Sequence, residues 1–267
     1  MAVDTGGTKT LVTSFDKRGK RGEIFRFPTP LLPDEYLATL TEFLHDHFTQ
    51  KTIDGIVIGV PGIVKNGTLA WAGNLSWTDF DIATTVSHAM DCPVWLENDA
   101  NLAAIAETRA LSKVPRLSLY ITISTGIGSG IVINGKLAQE LSESEAGHMM
   151  LEYDGKLRMW ESFASGKAIK NTYHSYARDI NDPRIWRQIA HKISSGFLAL
   201  VPSLQPDVII IGGSIGTYFD HYDSFLRKIL REKLPPHIPV PEIRQAVHPE
   251  EAVAYGGYYY AKDALTQ

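Results

Sequence analysis

Thr125-Gly126-Ile127-Gly128-Ser129-Gly130-Ile131-Val132-Ile133-Asn134-Gly135 is the stretch that decides the fold. Its glycines are spaced like a dinucleotide-binding fingerprint, but that fingerprint must open a helix. Here they run into three β-branched residues and then Asn134-Gly135, a strong hairpin signal. A strand over residues 117–124 therefore turns back as a second strand. The context excludes nicotinamide binding and fits a hairpin turn that cradles phosphate.

The same theme, a strand running into a small polar loop, recurs outward from this point. Residues 1–3 lead into Asp4-Thr5-Gly6-Gly7-Thr8-Lys9, 53–60 into Pro61-Gly62, 94–96 into Glu97-Asn98-Asp99, and 208–211 into Gly212-Gly213-Ser214. Further strands are expected near residues 11–15 and 23–27, across a turn-rich 17–22. Helices are expected after Asp34, with Leu37, Leu40, Leu44 and Phe48 on one face, from Ala100, over 162–177 and 184–204, after Ser214, and over 250–264. Strands alternating with helices give an α/β fold. Its repetition in both halves suggests two related lobes facing one cleft.

With 267 residues the chain has room for one large domain or two small ones. A net charge of −4 argues against an extended nucleic-acid-binding face. The single cysteine, Cys92, excludes an intramolecular disulfide, fits a reducing cytosol, and reads as a small buried side chain at a strand edge. Neither a signal-peptide pattern nor an apolar run of membrane-spanning length is present, so the expectation is a cytoplasmic protein without a membrane partner.

Five polar constellations could carry chemistry. In the first loop, glycine lets backbone approach a polyanion, Thr8 and the amides can donate, and Asp4 could hold Mg²⁺ through water; a plain hairpin turn is the alternative. Thr125 and Gly126 open the second phosphate candidate. Gly212-Gly213-Ser214 could place a nucleotide against bare backbone, or simply start a helix capped by Ser214. Asp99 could accept a hydroxyl proton during phosphoryl transfer, or cap the helix that follows it. Glu145, His148 and Glu161 could read vicinal hydroxyls, bind a metal, or lie in a solvated loop. Residues 165–168, Ser-Gly-Lys-Ala, lack the upstream glycine and terminal hydroxyl of a Walker loop.

In order and spacing, Asp-x-Gly-Gly-Thr, Pro-Gly, Asn-x-x-Trp, Glu-Asn-Asp-Ala-Asn, Thr-Gly-x-Gly-x-Gly, Glu-x-Gly-His and Gly-Gly-Ser resemble the ROK family of repressors and sugar kinases, from Asp4 to Gly257. Among its kinases the chain is most similar to the glucokinase branch. The resemblance implies an actin-like (ribonuclease H-like) two-lobed α/β fold, with residues 1–110 plus 253–267 as the small lobe and 111–252 as the large one. It implies transfer from ATP–Mg²⁺ to the 6-hydroxyl of a hexose, glucose first, with a homodimer as the candidate assembly. Asp99 becomes the general base; Gly62, Asn74, Asn98, Asp99, Glu145, His148 and Glu161 become sugar-side residues. Asp4, Gly6, Gly7, Thr8, Lys9, Thr125, Gly126, Gly212, Gly213 and Ser214 fall to phosphate and nucleotide.

Three departures stand out. Many family kinases carry a cysteine-rich zinc module after Glu-x-Gly-His; residues 153–161 here are shorter and have no cysteine, so no structural zinc is expected. Trp160 and Met159 are expected to pack in its place, and the zinc-free form, shared with polyphosphate-using glucokinases, leaves polyphosphate as an alternative donor. Glu140 stands near where the family places a glycine. From the short start before Asp4, the DNA-binding helices of the repressor branch are not expected. A sugar-sensing regulator is the rival from another class.

Overall fold

The computed structural model describes residues 1–48, 52–73, 75–248 and 251–266. It divides into two compact units, Met1–Ala106 with Glu250–Gln267, and Glu107–Pro249.

The first unit contains β1 (Ala2–Thr5), β2 (Lys9–Phe15), β3 (Arg21–Pro28), α1 (Pro33–Phe48), β4 (Ile56–Val60), β5 (Ile63–Lys65), β6 (Thr68–Ala72), β7 (Trp77–Phe80), α2 (Ile82–Met90), β8 (Val94–Asn98) and α3 (Asp99–Arg109). Its main sheet has the order β3-β2-β1-β4-β8. The β1–β2–β3 strands pair antiparallel, and β1, β4 and β8 run parallel. β4 is buried at every position, as its unbroken apolar run implies. α1 presents Tyr36, Leu40, Leu44 and Phe48 to the core, and Leu37 packs at its margin. The small β5–β6–β7 sheet and α2 did not stand out in the sequence. The β5–β6 turn is nonetheless marked by Asn66-Gly67, both at positive φ. Cys92 is buried just ahead of β8, where loss of solvent pushes its thiol pKa up.

The second unit contains β9 (Leu117–Ile123), β10 (Ile127–Ile133), β11 (Lys136–Leu137), β12 (Met150–Tyr153), β13 (Lys156–Met159), α4 (Glu161–Ala164), α5 (Gly166–Tyr173), α6 (Pro183–Leu204), β14 (Val208–Gly212), α7 (Gly213–Gly216), α8 (Phe219–Lys233) and β15 (Glu242–Gln245). The strand order is β11-β10-β9-β14-β15. β10 pairs antiparallel with β9 along its whole length, so the glycine-rich stretch is a strand. Asn134 and Gly135, at φ 51° and 78°, make the expected turn into β11. The last helix, α9 (Ala252–Leu265), packs on β1 and β4 of the first unit.

One helix expectation fails. Residues 162–177 form two helices, broken at Ser165, whose backbone is extended (φ −69°, ψ 161°). The break lets the Gly166 amide donate to the Ser124 carbonyl at 2.7 Å. The Ser165 hydroxyl then accepts from the Ala168 amide at 3.2 Å and caps α5. α5 ends in left-handed His174, so Ala177 lies beyond it.

Candidate functional site

In the first unit, β1 carries Asp4 into the turn that returns as β2, closed by the Gly6 amide donating to the Lys9 carbonyl at 3.0 Å. Three hydroxyl contacts, two of them buried, brace the turn from behind. Thr29 Oγ1 donates to the Gly6 carbonyl (2.8 Å) and meets Thr10 Oγ1 (2.9 Å), while Thr5 Oγ1 meets the Tyr36 hydroxyl (2.6 Å). Gly7, Thr8 and Lys9 are left exposed at the tip. Asp4 is half-buried. Loss of solvent pushes its carboxyl up to about 6, with Lys9 pulling the other way. Sequence reading missed Thr10, Thr29 and Tyr36, since nothing local marks a hydroxyl as a brace.

At the end of β8 the polar residues divide the work. Glu97 is buried and accepts from the Asn98 amide (2.8 Å) and Asn101 Nδ2 (2.9 Å); burial still raises its pKa. Asn98 Oδ1 accepts from the amides of Ala100 (2.8 Å) and Asn101 (3.1 Å), which is the capping geometry for α3. Asp99 Oδ1 accepts from the Ala100 amide as well, at 2.8 Å, but not from the Asn101 amide that Asn98 takes. Asn98, not Asp99, therefore caps the helix. Its Nδ2 donates to the Gly62 carbonyl at 2.7 Å, fixing the loop after β4. At Gly62 the φ is 115°, and a Cβ would lie 2.1 Å from the Trp71 carbonyl oxygen, so glycine is required. Asn74 lies outside the described residues.

In the second unit Glu145, His148 and Glu161 come together. Glu161 Oε2 accepts from the Ile127 amide at 3.2 Å, and its Oε1 lies 3.7 Å from His148 Nε2. Glu145, one turn before His148, has its pKa raised by burial first; His148 opposes the shift and Glu161 adds to it. Gly126 owes its identity to this carboxylate, because a Cβ there would sit 2.7 Å from Glu161 Oε2. Gly147 likewise admits the Ile127 carbonyl, 2.1 Å from where a Cβ would be. Residues 153–161, where the zinc module was expected to be replaced, complete the β12–β13 hairpin. Trp160 packs there as expected, fully buried; Met159 does not, being 47% exposed. Among the described residues no group of three or more His, Cys, Asp or Glu could hold a metal ion. Glu140 sits in an exposed turn, and nothing in the structure explains its choice.

A pocket in the same unit opens beside Ser124 and Thr125, walled by Gly166, Ser214, Ile215 and Tyr218. Gly212 and Gly213 do not line it. Their missing side chains make room for β9: a Cβ at Gly212 would lie 2.2 Å from the Tyr120 hydroxyl, and one at Gly213 2.6 Å from the Ile123 carbonyl. These glycines seat the turn against the sheet, and Ser214 is not the cap of α7. Lys167, Lys170 and Arg178 line the pocket. Lys170 donates to the Tyr176 hydroxyl at 2.8 Å. Arg184 is taken up by Asp182, and Arg187 lies over Phe225.

A profile of the ROK family matches residues 1–264. The chain belongs to the ROK family. A Bacillus subtilis protein named as a fructokinase candidate is 30% identical over 254 residues, 87% of this chain and 83% of that one. The glucokinase of Streptomyces coelicolor is 31% identical over 180 residues, 63% of this chain but 57% of its own length. Xylose repressors also match, with about half of their length spanned. The solved inorganic polyphosphate/ATP-glucomannokinase of Arthrobacter is 28% identical and superposes with a TM-score of 0.74, covering 99% of this chain and 98% of that one. The actin-like, mixed α/β fold is thus that of ROK sugar kinases.

The position of Asp4 sets a pH test. A carboxyl held up by burial favours its protonated form in the fold, so its help is complete below the ordinary value of 3.8 and is lost as pH rises through about 6. That displacement corresponds to at most about 3 kcal/mol, reduced by the solvent that still reaches the side chain. Asp4→Asn is expected to raise the melting temperature of the ligand-free protein near neutral pH and to leave it unchanged near pH 4. Equal melting temperatures at neutral pH would contradict this environment for Asp4.

Proposed function

We propose that this protein is a hexose kinase, moving the terminal phosphoryl group of ATP to the 6-hydroxyl of a hexose, glucose first. The observation that carries the reading is the division of labour at β8–α3. Asn98 caps the helix and ties down Gly62, so a carboxylate placed at Asp99 is not needed for the cap. Asp99 would accept the hydroxyl proton as the phosphoryl group arrives.

Asn98 has one N–H beyond its bond to Gly62 for a sugar hydroxyl, and the loops of Gly62 and Asn74 are proposed as further sugar-side elements. Glu145, His148 and Glu161, drawn together in the second unit, are the proposed hydroxyl-reading set. The turns at Gly6–Lys9 and Thr125–Gly126 would present N–H and hydroxyl donors to the donor's phosphates. Asp4, a hard carboxylate destabilised by burial, fits Mg²⁺ held through water. Mg²⁺ would offset charge on the transferred group. Water excluded from the sugar hydroxyl prevents wasteful hydrolysis. A sugar sensor would need neither Asp99 nor two phosphate turns, which favours the enzyme over the repressor-like reading.

The pocket beside Thr125 supports ATP as donor, since Ile215, Tyr218 and the Tyr176 ring offer surface to a base. Its three cations also favour a second reading, polyphosphate, which binds by summed charge and is strongly salt-screened.

Steady-state kinetics with each donor tests both assignments. Asp99→Asn is expected to lose about 10²–10⁴ in kcat with hexose affinity kept within about tenfold. Near-normal turnover by that variant would remove Asp99 as the base. ATP is expected to support faster turnover than polyphosphate at equal phosphoryl concentration, and the reverse order would assign the cationic pocket to polyphosphate. Lys170→Ala is expected to weaken polyphosphate use more than ATP use, and to flatten its salt dependence. Equal losses with both donors would show that Lys170 does not distinguish them.

A further inference from the structure

The β12–β13 hairpin joins His148 to Glu161, and both of its ends are fastened to the same helix. At the near end, the Trp160 amide donates to the Met149 carbonyl at 2.9 Å, closing the hairpin directly beside His148. The Trp160 side chain is fully buried against α6. Its indole N–H donates to the Lys192 carbonyl at 3.1 Å, and its ring meets Phe197 edge-on at 5.7 Å. At the far end, the Tyr153 ring stacks on Phe163 at 4.2 Å. The buried Lys192 ammonium lies 5.6 Å from Tyr153 and 5.3 Å from Tyr173, and donates to Thr172 Oγ1 at 3.3 Å.

The seat for the indole is made by a single missing side chain. Gly196 lies inside α6, where glycine is less favourable than alanine. A Cβ there would stand 2.2 Å from Trp160 Cε2 and 2.4 Å from Cζ2. The helix accepts that cost and gains a notch cut to the indole.

We infer that Trp160, locked into the Gly196 notch, is the positioning residue for the Glu161–His148 pair and thereby sets the affinity for hexose. The inference rests on the hexose-kinase reading for the word hexose, but its geometry does not. Glu161 follows Trp160 directly, and its two oxygens reach Ile127 and His148 only at 3.2 and 3.7 Å. Contacts this long do not fix the carboxylate by themselves; the backbone that carries it must. Both backbone approaches, at Met149 and at Glu161, are tied to Trp160. Any buried indole needs its N–H paired, but ordinary core packing would not require a glycine inside the facing helix.

Three variants of the full chain test this. Gly196→Ala pushes on the indole, and Trp160→Phe removes its N–H bond while keeping a ring in the seat. Val201→Ala, on the same helix and fully buried, supplies a loss of packing away from the notch. Gly196→Ala is expected to raise the hexose KM at least about tenfold with the donor KM within about twofold, because small misplacements of binding groups are costly. Val201→Ala should leave the hexose KM at its wild-type value even where its melting temperature falls as far. The His148 ring signals, assigned in a ¹H–¹⁵N spectrum with His148→Gln, should move in Gly196→Ala and stay in place in Val201→Ala.

The ring signals are read without turnover. A wild-type chain that phosphorylates no hexose but shows this NMR pattern would contradict the kinase reading and uphold the positioning role. Unmoved His148 signals in folded Gly196→Ala, or an unmoved hexose KM in an active enzyme, would overturn the inference. Should Gly196→Ala fail to fold, Trp160→Phe decides alone, with an expected rise of about three- to tenfold in hexose KM from the lost indole bond. No change in that variant would likewise overturn it.

Discussion

The carboxylate of Glu161 is the constraint on which the second unit is arranged. One oxygen accepts the Ile127 amide at the start of β10, and the other faces the His148 imidazole. The group belongs at once to the glycine turn after β9 and to the polar cluster that includes Glu145. Gly126 must lack a side chain to admit it, and Gly147 must lack one so that the 3₁₀ turn carrying His148 can close on Ile127. Burial of Glu145 beside that same carboxylate raises its pKa, with the imidazole opposing. A half-buried cluster of this kind has donors and acceptors set before any ligand arrives, which lowers the cost of ordering them around one.

The first unit solves a different problem, that of presenting carboxylates from strand ends without letting helix capping consume them. Asn98 performs the capping and anchors Gly62; Glu97 is buried and fixes Asn98 and Asn101 in turn. The turn after β1 is braced by Thr10, Thr29 and Tyr36, so its exposed tip does not depend on the tip residues for its shape. Both arrangements place buried, hydrogen-bonded polar groups behind more accessible ones.

Much of this was legible in the sequence, for reasons of range. Asn134-Gly135 and the β-branched run before it are local signals, and they correctly turned the glycine-rich stretch into a hairpin. The unbroken apolar runs of β4 and β14 likewise announced buried strands. What the sequence hid are contacts between distant positions. The break at Ser165 follows from the Gly166 bond to Ser124, 42 residues away, and no propensity in 162–177 reveals it. Gly212 and Gly213 suggested bare backbone for a nucleotide, yet they are glycine because β9 lies against them. Trp160 was expected to fill space after His148, whereas its true partner is a glycine on α6. That Lys167, Lys170 and Arg178 share a pocket was equally invisible, because α5 and the turn at Ala177–Asp179 come together only in the fold.

The account is that of a phosphotransferase whose acceptor is a sugar hydroxyl, and the bond formed is its most direct test. Uniformly ¹³C-labelled glucose, ATP and Mg²⁺ incubated with the protein should yield ADP and a phosphate ester whose ³¹P resonance couples to carbon 6. Fructose and mannose in parallel incubations would locate the preferred acceptor. Phosphate released as the free inorganic ion at the same rate with and without sugar, and no ester from any of the three, would contradict it.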